Sequence, residues 1–408
     1  MLLLALLLQA EDLPTLVRDY LAGNQAIVEK IAARPVAEVE RAIRASRVYE
    51  KREAGVAEHA VANAHDAAVE VRYLVRVPEY DPAKRYPMLV SLHGQGGNAK
   101  GQYAGWRREA EKEEDLFVVV PDAARGGWGR SRLGFGTLHA VIRDAVARYP
   151  VDPNRVVLDG GSMGGNGSFQ FAAYFPDLLA GVAPRIGGPE FVKDASGKVT
   201  TARFLENFRN VPVYWIVGVK DEKCPIDWAR AVKARMEELK LDVTYREMDG
   251  GHEWFPQENP RVLEWMRGRK RDPYPKVVHW VTHERIWARA YWVEITGFSA
   301  KADERWMRTY VSDTNEKLEE RLGFVHPVEV RAEIDRDANA IRVTAKHVTE
   351  LRLHLSDAML DLDREVVVFV DGAQKAKRKV VRSAKALLES AARDREMLFS
   401  ASLDVKLK

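Results

Sequence analysis

The serine in residues 160–164, Gly-Gly-Ser-Met-Gly, is the first residue of the sequence whose setting suggests chemistry. Ser162 follows the apolar run 155–158 and precedes a segment with helical character. At a sharp turn from a strand into a helix, a serine hydroxyl projects above the sheet edge, and glycines two residues before and after it leave room for the strained turn. The same string can also form an ordinary glycine-rich loop, so Ser162 is a candidate nucleophile that needs partners.

A serine hydroxyl is a poor nucleophile at neutral pH and needs a base, which in turn needs a carboxylate to orient it. Two loops supply these residue types. Asp221 follows the apolar run 211–217, and His252 follows the run 243–248 after two glycines. Because the carboxyl ends of parallel strands meet at one edge of a sheet, we expect both side chains to lie beside Ser162.

Each partner has an alternative interpretation. Asp221 could cap the helix expected at 226–239, although Asp227 is nearer to that position. Glu222 and Asp227 are the alternative candidates for the acid. His252 could be a surface histidine, but it is the one histidine that follows the last expected strand of the sheet after glycines.

A tetrahedral intermediate also needs hydrogen-bond donors for its oxyanion. The expected strand 88–92 leads into residues 93–98, His-Gly-Gln-Gly-Gly-Asn, a loop of the kind that supplies one backbone N–H. We predict that the N–H groups of Gln95 and Met163 form the oxyanion hole, with Gly94 as an alternative donor. His93 is interpreted as a residue that orients the loop.

The elements that must position these residues alternate between short apolar runs and helical segments. The runs 88–92, 116–120 and 155–158 are continuously apolar, as expected of parallel strands covered by helices on both faces. Further strands are predicted at 69–77, 182–184, 211–217 and 243–248, and helices near 102–114, 133–149, 166–175, 226–239 and 258–268. The pattern predicts an α/β fold with a mostly parallel twisted sheet and helices on both faces.

A chain of 408 residues, 46% of them hydrophobic, exceeds what one core usually supports. Residues 11–66 are predicted to form an N-terminal helical cap with two helices, and residues 67–274 the catalytic domain. After residue 275 the alternation gives way to successive β-rich runs, so 275–408 is predicted to be a β-rich accessory domain. Within it, 382–394 has the pattern of an amphipathic helix.

Composition excludes several classes of function. The 63 basic and 60 acidic residues leave a net charge of only +3, which argues against a nucleic-acid-binding surface. With Cys224 as the only cysteine, an intramolecular disulfide and a thiolate zinc cluster are excluded. Residues 1–10 resemble the end of a secretory signal peptide and are too short to span a bilayer, so we expect a secreted or periplasmic protein without a membrane span.

The resemblance to a known family rests on four segments: residues 86–98, 151–165, 211–225 and 249–255. Together they resemble the α/β-hydrolases grouped around polyhydroxybutyrate depolymerases, feruloyl esterases and prolyl-oligopeptidase-like enzymes, over roughly residues 67–270. The order Ser, Asp, His is the one found in that fold. The resemblance implies a serine carboxylic-ester hydrolase that needs no cofactor. It says little about residues 12–66 or 275–408.

Three residues are candidates for contact with a substrate. Trp128 follows an expected strand and could stack on an acyl or aromatic ring, or else belong to the core. Trp254 lies two residues after His252 and has the same two interpretations. Gly161 stands where many members of the family have a bulkier His or Tyr, so we expect it to leave space beside Ser162 and to enlarge the site.

Two other patterns suggest binding sites less strongly. His279 and His283 have helical metal-ligand spacing, but their surroundings read as a strand and no Glu lies between them in the metalloprotease pattern. We therefore predict no metal site. The basic run 375–382 is interpreted as a solvated edge strand, since charged edges discourage aggregation.

The sequence therefore predicts a serine esterase that acts on small-molecule or polymeric esters, with aryl, hydroxycinnamoyl and polyester substrates as candidates. Two alternatives remain open. One is a serine peptidase of the prolyl-oligopeptidase type, although 66 N-terminal residues are too few for the usual β-propeller. The other is a catalytically weak protein whose β-rich domain binds a polymer. The oligomeric state is left open.

Overall fold

A computed structural model of the chain describes residues 12–124, 127–129, 132–310 and 318–407. The signal-peptide-like segment 1–10 lies outside these residues and stays a prediction. Three short helices open the described chain: α1 Leu13–Leu21, α2 Val28–Ala32 and α3 Val36–Ala45. Asp12 caps α1 by accepting the N–H of Thr15 at 3.2 Å. The first of the two predicted helices is divided into α1 and α2, because the chain turns at Gly23, where φ is +114°.

Ten strands and five helices follow up to residue 267. The strands are β1 Gly55–Asn63, β2 Asp66–Val77, β3 Tyr86–Leu92, β4 Phe117–Pro121, β5 Val151–Gly161, β6 Gly181–Arg185, β7 Phe191–Lys193, β8 Val199–Ala202, β9 Val213–Gly218 and β10 Val243–Met248. The helices are α4 Ala99–Ala110, α5 Arg132–Arg148, α6 Met163–Tyr174, α7 Ile226–Glu238 and α8 Asn259–Arg267. The helices and strands predicted between residues 69 and 268 are therefore present.

Eight of these strands form one sheet in the order β1-β2-β4-β3-β5-β6-β9-β10. The strands from β4 to β10 in that order are parallel to one another, while β1 and β2 pair antiparallel at one end. Every residue of β3 and β4 is buried, as their continuous apolar runs predicted. Helices cover both faces of the sheet. Because β3, β5, β9 and β10 run parallel, their carboxyl ends meet at one edge.

The first strand corrects one predicted boundary. Residues 55–63 were assigned to the helical cap, but they form β1 and pair with β2 in the large sheet. We therefore begin the sheet domain at Gly55 rather than at residue 67. The hairpin of β7 and β8, which pair antiparallel, was not predicted at all.

The remainder of the described chain is rich in β-structure, as predicted. Its elements are β11 Val277–Thr282, β12 Arg289–Ala290, β13 Val293–Phe298, β14 Glu304–Tyr310, β15 Leu318–Phe324, β16 Val328–Asp335, β17 Ala340–Lys346, β18 Val348–Leu355, β19 Val366–Val370, β20 Ala373–Arg378, α9 Ala384–Arg393 and β21 Ala401–Lys406. A five-stranded sheet, β11-β16-β17-β19-β20, and a four-stranded sheet, β12-β13-β18-β21, share one hydrophobic core. The basic strand β20 lies at an edge, as predicted.

Buried polar contacts join the β-rich part to the sheet domain. The amide of Asn207 donates to the carbonyl of Val281 at 2.9 Å and accepts the N–H of the same residue at 2.8 Å. Arg271 forms an ion pair with Asp394 at 2.6 Å, with side chains only 1% and 7% exposed. Helices α1 to α3 share a small core with α9 rather than with the large sheet. Among the described residues, no helix has both the length and the apolar character needed to cross a membrane.

Candidate active site

Ser162 occupies a strained turn between β5 and α6. Its φ of 55° and ψ of −115° lie in a region that non-glycine residues rarely adopt. The turn is held because the Ser162 N–H donates to the carbonyl of Arg185 on β6 at 2.9 Å. The flanking glycines are required for space: a Cβ on Gly160 would lie 2.5 Å from the backbone of Gly164. This geometry is what the strand, turn and helix pattern predicted for a nucleophile.

The three side chains predicted to form a triad lie in one hydrogen-bonded line. The Oγ of Ser162 is 2.8 Å from Nε2 of His252, and Nδ1 of His252 is 2.8 Å from Oδ2 of Asp221. Because an ionised carboxylate only accepts hydrogen bonds, Nδ1 carries the imidazole proton and Nε2 is left to accept the serine hydroxyl. His252 keeps 17% of its side chain exposed, whereas the Asp221 side chain is buried.

Asp221 is fixed by its own loop. Its Oδ1 accepts the backbone N–H groups of Lys223 at 2.8 Å and Cys224 at 2.9 Å, which leaves Oδ2 directed at His252. The alternative acids lie elsewhere. Glu222 is exposed, and Asp227 is exposed in the first turn of α7. The structure therefore brings Asp221, and neither alternative, to the histidine.

The loop predicted to form half of the oxyanion hole lies against the nucleophile turn. A Cβ on Gly94 would be 3.7 Å from the Cβ of Ser162, so the two loops are in contact. His93 holds this loop, because its Nε2 accepts the N–H of Ala123 at 3.1 Å and its Nδ1 donates to the Gly94 carbonyl at 2.8 Å. Gln95 follows in the exposed turn.

Met163, the other predicted donor, is the first residue of α6. The first N–H groups of a helix have no acceptor within the helix. The Met163 N–H is therefore not used by the helix, at the position directly after Ser162. Whether Met163 and Gln95 donate to an oxyanion stays a prediction.

Trp128 does not lie where a substrate could contact it, which corrects one of the predicted substrate contacts. Its side chain is fully buried in the core. The indole N–H donates to the carbonyl of His93 at 2.8 Å, and a Cβ on Gly167 would lie 2.3 Å from the Cβ of Trp128. Trp128 thus supports the His93 loop from within.

Gly161 and Trp254 are in direct contact, and this corrects the role expected of Gly161. A Cβ on Gly161 would lie only 2.9 Å from Cε3 of Trp254. The space beside Gly161 is therefore filled by the indole, so the glycine does not enlarge the site. Trp254 is half-buried and, through Gly161, adjoins the nucleophile turn, so it remains a candidate for substrate contact.

Two known proteins, a depolymerase and an esterase, are related in sequence to part of this chain. The chain is 32% identical to poly(3-hydroxyalkanoate) depolymerase C of Paucimonas lemoignei over 127 residues, which cover 28% of this chain and 30% of the relative. It is 28% identical to feruloyl esterase B of Neurospora crassa over 128 residues, covering 27% of this chain and 43% of the relative. The chain thus spans less than half the length of either relative. No model of a known protein family matches it.

A solved structure of a thermostable esterase overlaps 53% of this chain and 63% of its own length, at 23% identity and a TM-score of 0.44. The sheet itself identifies the fold: the parallel strands carry a serine after β5, an acid after β9 and a histidine after β10. By fold, the chain is an α/β-hydrolase. The topology confirms the predicted fold class, and the two relatives confirm the predicted resemblance.

A buried charged network beside the Ser162 turn of this α/β-hydrolase was missed in the sequence. Arg185 donates from Nε to Oδ1 of Asp159 at 2.9 Å, and both side chains are 0% exposed. The other carboxylate oxygen of Asp159 accepts the hydroxyl of Ser91 at 2.9 Å and the indole N–H of Trp106 at 3.1 Å. The available signal was a charged residue directly after the apolar run 156–158 and another at the end of the otherwise apolar strand β6.

The hairpin of β7 and β8 is a second feature that sequence patterns missed. It follows residues 185–188 directly, and the N–H of Gly188 donates to the side chain of Asn166 on α6 at 2.8 Å. Phe191 of the hairpin packs edge-on against Trp228 of α7, with ring centroids 5.5 Å apart. The hairpin thus ties the segment beside the nucleophile turn to the helix that follows the Asp221 loop.

Among the residues that the structure describes, one group of side chains has the donor types of a metal site. Donor atoms of Asp221, Cys224 and His252 lie within 4.8 Å of one another. A metal would compete with the hydrogen bond that already joins Asp221 and His252. Burial and the charge of Asp221 raise the pKa of the Cys224 thiol to about 11, so the thiolate that binds metals is scarce near neutral pH. His279, considered above as a ligand, bonds to Glu329 at 2.7 Å.

Proposed function

We propose that the chain is a serine carboxylic-ester hydrolase that works through Ser162, His252 and Asp221. The observation that carries the proposal is the pair of 2.8 Å hydrogen bonds that joins the three side chains. Asp221 holds the tautomer in which Nε2 of His252 can accept the hydroxyl proton. Two relatives whose names describe ester hydrolases support the same reaction.

In the proposed first step, Ser162 Oγ attacks the ester carbonyl carbon while His252 Nε2 takes the hydroxyl proton. The N–H groups of Met163 and Gln95 stabilise the oxyanion of the tetrahedral intermediate. His252 then gives its proton to the leaving alcohol oxygen as the carbon–oxygen bond breaks. The product of this step is an acyl ester of Ser162.

In the second step, water repeats the attack on the acyl-enzyme. His252 takes a proton from the water and returns it to Oγ of Ser162, and the carboxylic acid leaves. Asp221 stabilises the imidazolium that forms in both steps without becoming protonated. No cofactor takes part in this scheme.

We propose aryl or hydroxycinnamoyl esters and polyesters as the substrate class. The support is the half-buried indole of Trp254 beside the nucleophile turn, since aromatic rings stack favourably on an indole face. The names of the two relatives, a feruloyl esterase and a polyester depolymerase, describe substrates of this chemistry.

The proposal is tested with p-nitrophenyl butyrate and a fluorophosphonate probe. Replacing Ser162 by Ala removes the nucleophile, so we expect kcat to fall by at least about 1,000-fold and probe labelling to disappear. Ser168→Ala is the matched control. Ser168 is buried on α6, which begins directly after Ser162, and its hydroxyl donates to the carbonyl of Gly164 rather than to His252. This variant should keep both activity and labelling.

Full turnover by a folded Ser162→Ala variant would exclude the mechanism. Hydrolysis of a proline p-nitroanilide without ester hydrolysis would favour a peptidase instead. Absence of all turnover and labelling in the wild-type protein would favour a binding protein. A panel with methyl ferulate, methyl butyrate and a polyhydroxybutyrate film then tests the substrate class.

A further inference from the structure

Arg185 connects the two loops that carry the proposed nucleophile and base. Its backbone carbonyl accepts the N–H of Ser162 at 2.9 Å. Its side chain reaches the other loop, where Nη1 lies 3.4 Å from the carbonyl oxygens of both Trp254 and Phe255. These residues follow His252 by two and three positions. One residue thus contacts the serine turn through its backbone and the histidine loop through its guanidinium.

The guanidinium is fixed in place from several directions. Asp159, three residues before the nucleophile, accepts from Nε of Arg185 at 2.9 Å. The centres of the rings of Trp254 and Trp106 lie 4.2 Å and 4.9 Å from the guanidinium carbon. Planar guanidinium groups stack on aromatic faces in this way, and a lysine could not do so while also reaching two carbonyls.

The buried ion pair of Arg185 and Asp159 is not expected to stabilise the core more than apolar residues would. Taking two charges out of water is costly, and well-packed apolar residues are often as stable or more stable in the same place. Such a pair is informative when it determines geometry. Here the geometry includes the turn of Ser162, the loop of His252 and the indole of Trp254.

We propose that Arg185, held by Asp159, is a positioning residue that fixes the His252 loop against the Ser162 turn. It touches no reacting atom, and it acts through the carbonyls of Trp254 and Phe255 and through the indole face. The inference rests on the proposed ester hydrolase function and assigns Arg185 a role in that reaction.

The first test replaces Arg185 by Met, which fills similar space without charge or donors. We expect kcat for p-nitrophenyl butyrate to fall by about 100-fold per folded molecule, because small displacements of a catalytic group are costly. The acidic limb of the kcat/KM profile, which reports His252, should shift. Arg271→Met is the matched control: Arg271 is equally buried in an ion pair but lies at the contact with the β-rich part. It should lower Tm and leave kcat and the pH profile unchanged.

The second test separates positioning from stability. Arg185→Met leaves the Asp159 charge buried and unpaired, which is strongly destabilising. Adding Asp159→Asn removes that charge, so the double variant should regain Tm over the single variant while kcat stays low. Arg185→Lys should keep the charge and recover only part of kcat. These variants also decide the question if Arg185→Met alone does not fold.

Recovery of kcat together with Tm in the double variant would overturn the inference, because the role of Arg185 would then be structural. Wild-type kcat and an unchanged pH profile in folded Arg185→Met would overturn it as well. Both outcomes leave the proposed function intact. That function fails separately, if the wild-type protein does not hydrolyse esters or does so without Ser162.

Discussion

The indole of Trp254 fills the space that the missing side chain of Gly161 leaves beside Ser162, the proposed nucleophile. A Cβ at position 161 would lie 2.9 Å from Cε3 and 3.0 Å from Cζ3 of the indole. The ring is rigid, and the guanidinium carbon of Arg185 lies 4.2 Å from its centre, so the indole cannot move away freely. The glycine before the serine and the tryptophan after the histidine therefore form one packing unit.

Gly161→Ala should displace the indole and destabilise the protein. Added carbon in a closely packed place costs about 1–3 kcal/mol. We expect the urea midpoint and kcat both to fall, because the indole lies next to the nucleophile turn. Combining the change with Trp254→Ala should relieve the clash, so the two destabilisations should sum to more than that of the double variant.

Gly101→Ala is the control for that experiment. Gly101 lies on helix α4, and the nearest atom to an added Cβ there would be 3.5 Å away. Alanine is the better helix former, so this variant should be at least as stable as the wild type. If the destabilisation of the double variant equals the sum of those of Gly161→Ala and Trp254→Ala, the two positions are not coupled.

Trp254→Ala should reduce the proposed preference for aromatic acyl groups. Loss of ring stacking costs about 0.5–1.5 kcal/mol beyond the area buried. Methyl ferulate and methyl butyrate share the same alcohol, so the ratio of their kcat/KM values isolates the acyl group. We expect this ratio to fall in Trp254→Ala and to be largely kept in Trp254→Phe. An unchanged ratio in a folded Trp254→Ala protein would remove the indole from the substrate site.

The residues of the proposed triad could be predicted because each follows a strand of one parallel sheet. Strands buried on both faces are continuously apolar, so β3, β4 and the buried run 156–158 of β5 are visible in the sequence. Topology then brings Ser162, Asp221 and His252 to one edge, whatever the details of packing. The same reasoning could not distinguish Trp128 from Trp254, since both follow strands by a few residues. Their burial depends on distant neighbours such as Gly167.

Two other features were invisible for physical reasons. Strand β1 consists largely of alanine and polar residues, and alanine favours helices, so residues 55–63 did not carry a strand pattern. The pairing of Asp159 with Arg185 joins residues on adjacent strands 26 positions apart. A charge in an apolar strand can be noticed in a sequence, but its partner is known only once the tertiary structure is known.

A chain that ends at residue 274 should aggregate rather than form an independent esterase. Its loss of the β-rich part would leave Arg271 without Asp394 and the Asn207 side chain without Val281. Helices α1 to α3 would also lose α9, with which they share a small core, and the apolar surface exposed in this way promotes aggregation. Size-exclusion chromatography of residues 12–274 measures the outcome. A monomer with wild-type activity on p-nitrophenyl butyrate would instead assign the β-rich part a separate role, such as polymer binding.

His139 should make the protein less stable in acid. Burial lowers the pKa of this imidazole to about 3, with smaller contributions from the charges of His65, Arg393 and Arg143. Its ring packs edge-on against Phe175, with centroids 4.2 Å apart. Between pH 6.5 and 3 the unfolded chain binds a proton at this position that the folded chain does not. The free energy of unfolding therefore falls as the pH falls through this range, by about 1.4 kcal/mol per pH unit at most.

His139→Phe removes the titrating group and keeps an aromatic ring in its place. The difference in unfolding free energy between pH 7 and pH 5, measured by urea titration, should be smaller than in the wild type by up to about 2 kcal/mol. Titrating groups that do not interact with His139 are common to the two proteins and cancel in this comparison. Gly101→Ala changes no titrating group and should leave the difference as it is. If His139→Phe and the wild type lose equal stability on acidification, His139 takes up its proton in the folded protein as readily as in the unfolded chain. That outcome would contradict a lowered pKa for His139.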